Sequence, residues 1–375
     1  MGDRRIRPTN TTDRVSHLAP PSVRGLPASI DGLPLHTRSL TVQLRAAGPE
    51  QWRARGDVID LRKNGFVPTS YDIQPAGVIH SMSIELELDP TTLRMDAIRV
   101  DQPFVAVEAS EATRGECCRD PAPRLVELTG ECLDDDFTAK LSAKFGGPLG
   151  CSHLLTLFQL MASAIPHAAR IERARAERDG THHAEGDRFF RRAVFVDGMR
   201  REGDLIDVGV ALSDSMTRPY APDRHSLTRV ERFHEVKIAA TVDRKRFGFD
   251  SLKISERLRD ADSLEEVAWT DESAAFESLL GTPVLPGLAK RIFGLTSDDP
   301  GRKVLQDALL MFAPGFIQIS AAQMDLFFEE QAMARSEGKE PEVARLGGNP
   351  GACYMWRENG PISKASFAMD ESAGN

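Results

Sequence analysis

The chain has 375 residues, of which 41% are hydrophobic and 27% charged, and its 47 Lys and Arg against 56 Asp and Glu give a formal net charge of −9. This composition is that of an ordinary globular protein and excludes a collagen-like, coiled-coil or wholly disordered chain. Because the balance is acidic and the basic residues are scattered, we expect no nucleic-acid partner.

The sequence carries no membrane or secretion signal. The longest apolar run, residues 154–165, is shorter than the about 20 residues that a membrane helix needs. Residues 1–24 are rich in Arg, Pro and Thr and lack the apolar segment of a signal peptide. The five cysteines are an odd number, which does not suggest a disulfide framework. We therefore expect a cytoplasmic protein with reduced thiols and no membrane contact.

The two halves of the chain resemble each other, which predicts two tandem copies of one unit. The segment Gly56-Asp57-Val58-Ile59-Asp60 is echoed by Gly203-Asp204-Leu205-Ile206-Asp207. A strand with a histidine follows in each half, at His80 and at His234. An ordered series of repeats indicates duplicated structural units. The predicted organisation is an N-terminal arm at 1–38, a first copy at 39–168, a charged connector at 169–190, a second copy at 191–326 and a C-terminal tail at 327–375.

The repeated unit is predicted to be α+β. Residues 78–88 alternate between apolar and polar side chains, which is typical of a strand with one buried face. The next strand changes the parity of its apolar residues at Asp96, and the second copy does the same at Asp250, so we predict a β-bulge at both aspartates. Helical segments follow, the last of them beginning at Ser152. The predicted fold is two tandem copies of an antiparallel sheet covered by helices, each copy with its own core, in a pseudo-twofold arrangement.

The motif Gly150-Cys151-Ser152-His153 opens the apolar helix of the first copy. The partial positive charge of a helix N-terminus would lower the pKa of a cysteine there and favour its thiolate. Because residues two apart on a helix point about 200° away from each other, Cys151 and His153 converge only if Cys151 still lies in the loop. In the alternative arrangement, Ser152 caps the helix, Cys151 packs in the core and His153 faces solvent.

His80 and His234 share the parity of the buried residues in their strands, so both are expected on the buried face. A core histidine bonded to a backbone carbonyl is the ordinary explanation, and a neutral imidazole that serves as general base or metal ligand is the functional one. Together with Cys151, His153 and either Cys117 or Cys118, His80 would suit zinc or a nonhaem metal such as iron. The spacing matches no zinc-finger pattern, so we expect no cofactor and keep a metal as the alternative.

Four further residues are candidates to hold a substrate in a cleft between the copies. Tyr71 and Tyr220 would position an aryl ring, and Arg302, near a helix start of the second copy, would receive a carboxylate or phenolate. A solvated helix start is the alternative for Arg302. His234 completes the predicted substrate-binding set. Signatures of nucleotide-binding, flavin-binding and serine-hydrolase sites are missing from the sequence.

The first copy resembles a bacterial family known as domain of unknown function 2889. The resemblance rests on four segments, Arg55-Gly56-Asp57-Val58-Ile59-Asp60, Ile79-His80-Ser81-Met82, Asp101-Gln102-Pro103-Phe104 and Gly150-Cys151-Ser152-His153-Leu154. It covers roughly residues 50–168, and the second half matches only through the internal comparison. Members of the family have an acidic residue after the strand histidine, where this chain has Ser81 and its second copy has Glu235. The resemblance implies a role in the catabolism of lignin-type aromatic compounds.

These observations lead to one hypothesis and two alternatives. The hypothesis is a cofactor-independent lyase for a small phenolic compound, in which His80 is the base and His153 or Cys151 assists. Cleavage of a carbon–carbon or carbon–oxygen bond after proton removal needs such a base and an electron sink. The alternatives are a zinc- or iron-binding scaffold with the ligands Cys118, Cys151, His153 and His80, and an interaction protein without catalysis. A homodimer is a further expectation, because the C-terminal tail could wrap around a partner subunit.

Overall fold

The structure is a computed structural model that describes residues 30–69, 72–222, 229–260, 267–297, 299–338 and 351–362. Within this part of the chain, nine strands form one antiparallel sheet in the order β11-β10-β9-β8-β7-β1-β2-β5-β6, and β3 and β4 form a separate hairpin. The strands are β1 Leu33–Ala46, β2 Trp52–Arg62, β3 Val67–Thr69, β4 Asp72–Gln74, β5 Gly77–Leu88, β6 Met95–Phe104, β7 Arg188–Arg200, β8 Leu205–Thr217, β9 Val230–Asp243, β10 Gly248–Asp260 and β11 Thr270–Asp271.

The two halves of the chain share this sheet, because β1 pairs with β7 along most of its length. From that central pair, the first half continues outward as β2, β5 and β6 and the second half as β8, β9 and β10. The α+β class with an antiparallel sheet is thus confirmed, whereas the pseudo-twofold symmetry stays a prediction. Strand β1 begins at Leu33, so residues 33–38 belong to the sheet and not to the predicted arm.

The strands follow the period-two pattern that the sequence predicted. In β2 and β8, buried side chains alternate with more exposed ones, since successive side chains of a strand point to opposite faces. The register skips Asp96 between β5 and β6, and it skips Asp250 between β9 and β10. Both predicted bulges are therefore confirmed.

Helices cover the face of the sheet that carries the buried side chains. Helix α3 packs on β2, β5 and β1, and helices α5 and α6 pack on the strands of the second half and on β1. The helices are α1 Pro123–Val126, α2 Phe137–Phe145, α3 Ser152–Asp179, α4 Leu288–Thr296, α5 Lys303–Leu310, α6 Phe312–Ala321 and α7 Met324–Ser336. Because α3 continues to Asp179, the first half of the predicted connector is helical, and α7 likewise begins within the second copy and extends into the predicted tail.

The buried apolar residues of both halves form one contiguous core. The expectation of two separate cores is wrong, because pairing of β1 with β7 places the two halves under one layer of helices. Two helical segments, Ser152–Asp179 and Lys303–Ala321, are long and apolar enough to cross a membrane, and 56% and 72% of their apolar windows are buried inside the protein. Buried core helices have the same length and composition, so this is weak evidence for a membrane span.

Candidate active site

The centre of the candidate site is Asp60, a side chain with no exposed surface on β2, the third strand from the β6 edge of the shared sheet. Strand β2 places Asp60 directly opposite Arg38 of β1 on one side and opposite His80 of β5 on the other. The three side chains therefore form one row across three neighbouring strands, beneath the start of helix α3.

Two cationic or hydrogen-bonding groups hold the Asp60 carboxylate. Arg38 donates from Nε to Oδ1 and from Nη2 to Oδ2, both at 2.9 Å, and His36 Nε2 lies 2.9 Å from Oδ1. Burial by itself would raise the pKa of Asp60, but the charge of Arg38 and the hydrogen bond from His36 outweigh it and hold that pKa well below the ordinary value. The site thus contains a fixed, ionised carboxylate.

Two imidazoles approach the same carboxylate oxygen. His80 Nδ1 lies 3.5 Å from Asp60 Oδ2, and His153 Nε2, from the first turn of α3, lies 3.4 Å from it. The two rings are 3.7 Å apart between centroids and tilted by 32°. Both nitrogens are buried without a hydrogen-bond partner. Burial, and then the charges of His80 and Arg38, lower the pKa of His153 well below 6.5, so its imidazole is neutral at pH 7.

Cys151 lies behind His153. Its Sγ is 3.8 Å from His153 Nδ1 and 3.9 Å from Met82 Sδ. Cys151 has extended backbone angles, φ −90° and ψ 122°, and precedes the first residue of α3. Cys151 therefore lies in the loop before α3, and from there its side chain reaches His153. The expected thiolate is wrong, because burial raises the pKa of the thiol to about 11 and outweighs the backbone N–H groups of the helix start.

The arrangement allows acid–base chemistry at His80. His80 is 5% exposed, and within the described part of the chain its Nε2 has no hydrogen-bond partner. An imidazole whose Nδ1–H faces a carboxylate presents the lone pair of Nε2 to a substrate and is a suitable general base. His153 is enclosed, since Cys151 lies at its Nδ1 and Asp60 at its Nε2.

The same atoms also meet the requirements of a divalent cation. Asp60, His80 and His153 each offer one ligand atom, and these atoms all lie within 4.8 Å of one another. Two imidazoles and one carboxylate are a donor set found in nonhaem iron and catalytic zinc sites. This set differs from the predicted one, because Asp60 takes the place of Cys118 and Cys151, whose thiols are protonated by burial.

The predicted substrate-binding residues do not join this group. Tyr220 is 63% exposed and lies under the Arg229 guanidinium, 5.4 Å from ring centroid to cation. Arg302 pairs with Glu272 and Asp299, at 3.5 Å each, in the second half of the chain. Local ion pairs and a cation–π contact thus hold these two side chains outside the group around Asp60, and their role in substrate binding stays a prediction. Tyr71 lies outside the described residues.

His234, the fourth predicted substrate ligand, belongs to a counterpart row in the second copy. It lies opposite Asp214 of β8, which receives two hydrogen bonds from Arg192 at 2.7 and 2.6 Å. The Nε2 of His234 is 2.6 Å from Glu256 Oε1, so this imidazole is engaged by another carboxylate. At the helix, Asp307 binds Arg192, where the first copy has His153. In the second centre both carboxylates bind Arg192 and Glu256 engages the Nε2 of His234, whereas in the first centre two imidazoles approach one carboxylate oxygen.

Sequence reasoning missed Asp60 and its partners Arg38 and His36. The signal was present in the spacing, because 22 and 20 residues separate the members of the row in each copy, Arg38, Asp60 and His80 in one and Arg192, Asp214 and His234 in the other. The register matches Asp60 with Asp214 and not with Asp207. The resemblance of residues 56–60 to residues 203–207 is therefore seven residues out of the structural alignment, and it pairs Asp60 with Asp207 in place of Asp214.

Comparison with known proteins bears on the first copy. A protein-family model described as "Protein of unknown function (DUF2889)" matches residues 36–166, which include His36, Asp60, His80 and His153. The match ends before the second copy. No curated protein and no solved structure matches the chain.

Proposed function

We propose that the candidate site is the catalytic centre of the protein. The site lies within residues 36–166, which belong to the DUF2889 family. The protein would be a lyase of small-molecule catabolism that acts on a phenolic compound of the lignin type. The observation that carries the proposal is the approach of two buried imidazoles to one oxygen of the ionised Asp60. Carboxylates buried beside unpaired imidazoles are uncommon outside functional sites.

In this proposal His80 is the base. The Asp60 carboxylate, 3.5 Å from His80 Nδ1, favours the tautomer that carries its proton on Nδ1 and so leaves Nε2 to take a proton from a substrate hydroxyl. The charge of Asp60 stabilises the imidazolium that forms. His153 packs against the His80 ring and holds it in place, and the neutral Cys151 thiol fixes His153 from behind.

The proposed reaction needs no oxidant. The substrate reacts as a quinone methide, which a phenol forms when its benzylic carbon–oxygen bond breaks and water leaves. The proton of the side-chain hydroxyl passes to His80, and the hydroxyl oxygen becomes a carbonyl oxygen as the adjacent carbon–carbon bond breaks. The electron pair of that bond moves through the quinone methide onto the ring oxygen, which becomes a phenolate. The phenolate then takes up a proton, so that charge and electrons balance. A phenolic substrate is thus its own electron sink, which is why the proposal includes no organic cofactor.

Turnover of phenolic dimers by the purified full-length protein tests this proposal. We expect product formation by the wild type and a loss of about 10²- to 10⁴-fold in His80→Ala, the range that general-base catalysis contributes. His153→Ala should also lose activity, because the His80 ring loses its packing partner. Undiminished turnover in both variants would contradict the assignment of the site.

A second candidate function, a metal-binding module, is favoured by the unpaired nitrogens of His80 and His153 beside Asp60 Oδ2. Metal analysis of protein purified without chelator separates the two functions. Stoichiometric zinc or iron that is lost in His153→Ala and kept in Cys151→Ala would support the metal centre. Turnover by metal-free protein would support the lyase. A cytoplasmic location and a homodimeric state remain parts of the proposal that fractionation and size measurements can test.

A further inference from the structure

A second feature of the molecule, separate from the His80 centre, is a cationic cavity of about 300 Å³ at the end of the second copy. The C-terminal half of α3 forms one wall, and the first residues of β9 with the last residue of β10 form the other. The lining residues are Arg170, Ile171, Ala174, Arg175, Arg178, Glu231, Arg232 and Asp260. Four guanidinium groups thus meet two carboxylates in a protein whose net charge is −9.

Two of the four arginines are neutralised within the protein. Arg175 donates to Glu172 at 2.7 Å and is fully buried. Arg178 pairs with Asp179 at 2.8 Å and with Glu231 at 3.0 Å. These ion pairs use one of the two lining carboxylates, because Glu231 is held by Arg178 and by Arg218.

The other two arginines have no carboxylate partner within the described residues. Arg170 contacts the ring of His167, with 3.2 Å between Nη2 and Nδ1. The Nε of Arg232 is buried without a hydrogen-bond partner. Burial, followed by the charges of Arg192 and Arg170, lowers the pKa of His167 to about 3, so the imidazole beside these arginines carries no charge. A buried guanidinium donor without a partner is costly, and a ligand that accepts from it relieves that cost.

We infer that this cavity binds the oxyanion of a small molecule, a carboxylate or a phosphate, between Arg170 and Arg232. A planar guanidinium donates two parallel hydrogen bonds to either group. The volume suits a small ligand, since ligand cavities in proteins begin at about 300 Å³. The site lies on strands of the second copy and does not use Asp60, His80 or His153, so it is independent of the proposed lyase reaction.

Calorimetric titration of the full-length protein with sodium benzoate and with sodium phosphate, at constant ionic strength set with NaCl, tests the inference. Saturable binding of benzoate alone identifies a carboxylate site, and saturable binding of phosphate alone identifies a phosphate site. We expect Arg232→Gln to raise the Kd of the anion at least about tenfold, because one charge-assisted pair of hydrogen bonds is lost. Arg335→Gln, which changes an exposed arginine on α7, should leave binding unchanged.

Arg170→Gln keeps the test decisive if Arg232→Gln fails to fold, because Arg170 is exposed and its removal leaves the core intact. No saturable binding of either anion would overturn the inference. Equal binding by Arg170→Gln, Arg335→Gln and the wild type would do the same, since the anion would then bind elsewhere.

Discussion

Replacement of Asp60 by asparagine removes the charge that neutralises a buried guanidinium. Arg38 is 3% exposed, and both of its hydrogen bonds to carboxylate go to Asp60; its remaining contact is the carbonyl of Pro314 at 3.1 Å. The side-chain NH2 of asparagine would also face the N–H groups of Arg38 or His36, so that two hydrogen-bond donors oppose each other. Removal of one partner of a buried ion pair costs about 3–5 kcal/mol, and we expect Asp60→Asn to lower the free energy of unfolding by that amount.

The second copy supplies a matched control. Asp214→Asn breaks the same two hydrogen bonds to Arg192, but Asp307 remains bound to that guanidinium. Its cost should therefore be smaller, about 1–3 kcal/mol. Urea unfolding followed by circular dichroism, with the slope checked for constancy, measures both variants. A loss below about 1 kcal/mol in Asp60→Asn, or a loss no larger than in Asp214→Asn, would refute the reasoning on the buried pair.

Three further predictions concern other parts of the molecule. The pKa of His167 falls to about 3 on folding; because the unfolded chain binds a proton below pH 6.5 and the folded protein does not, stability should fall as the pH drops below 6.5. His167→Gln should reduce the difference in unfolding free energy between pH 7 and pH 5 by about 1–2 kcal/mol, and an unchanged difference would show that His167 is protonated in the folded state. Burial raises the pKa of Cys151 to about 11, so iodoacetamide at pH 7 should modify this thiol only after unfolding; mass spectrometry that finds it modified in the native protein would contradict its burial. A methyl group at Gly315 of α6 would overlap Val196, whereas nothing lies within 4 Å of one at Gly294 of α4. Gly315→Ala should therefore cost about 1–3 kcal/mol of stability and Gly294→Ala should add about 0.5–1 kcal/mol, and equal melting temperatures would count against the close packing of α6 on β7.

Local sequence patterns predicted several strands and both bulges, and they left the position of Cys151 open. The parity change at Asp96 and at Asp250 is a local signal, because a bulge shifts the side chains of one strand by one residue. Such local signals could not predict that the two halves of the chain share one sheet. Pairing of β1 with β7 joins residues about 150 positions apart, and no local pattern specifies which edge of one unit meets the other.

The candidate site was predicted in part. His80, His153 and Cys151 follow from strand parity and from the motif at the helix start, but Asp60 required the register between β2 and its neighbours. The predicted arm boundary at residue 38 also concealed Arg38, whose charge keeps Asp60 ionised. The pKa of Cys151 could not be predicted from its place at a helix start, because burial by the surrounding core outweighs the helix dipole.

Chemical rescue of His80 tests the catalytic role of the site most directly. Small imidazole added to His80→Gly can occupy the vacated space and take the substrate proton, whereas the same addition to His234→Gly has no base to replace. The account predicts that turnover of a phenolic dimer is lost in His80→Gly, is restored in part by imidazole, and is unaffected in His234→Gly. Full activity of His80→Gly without imidazole, or an equal loss in both variants, would contradict it.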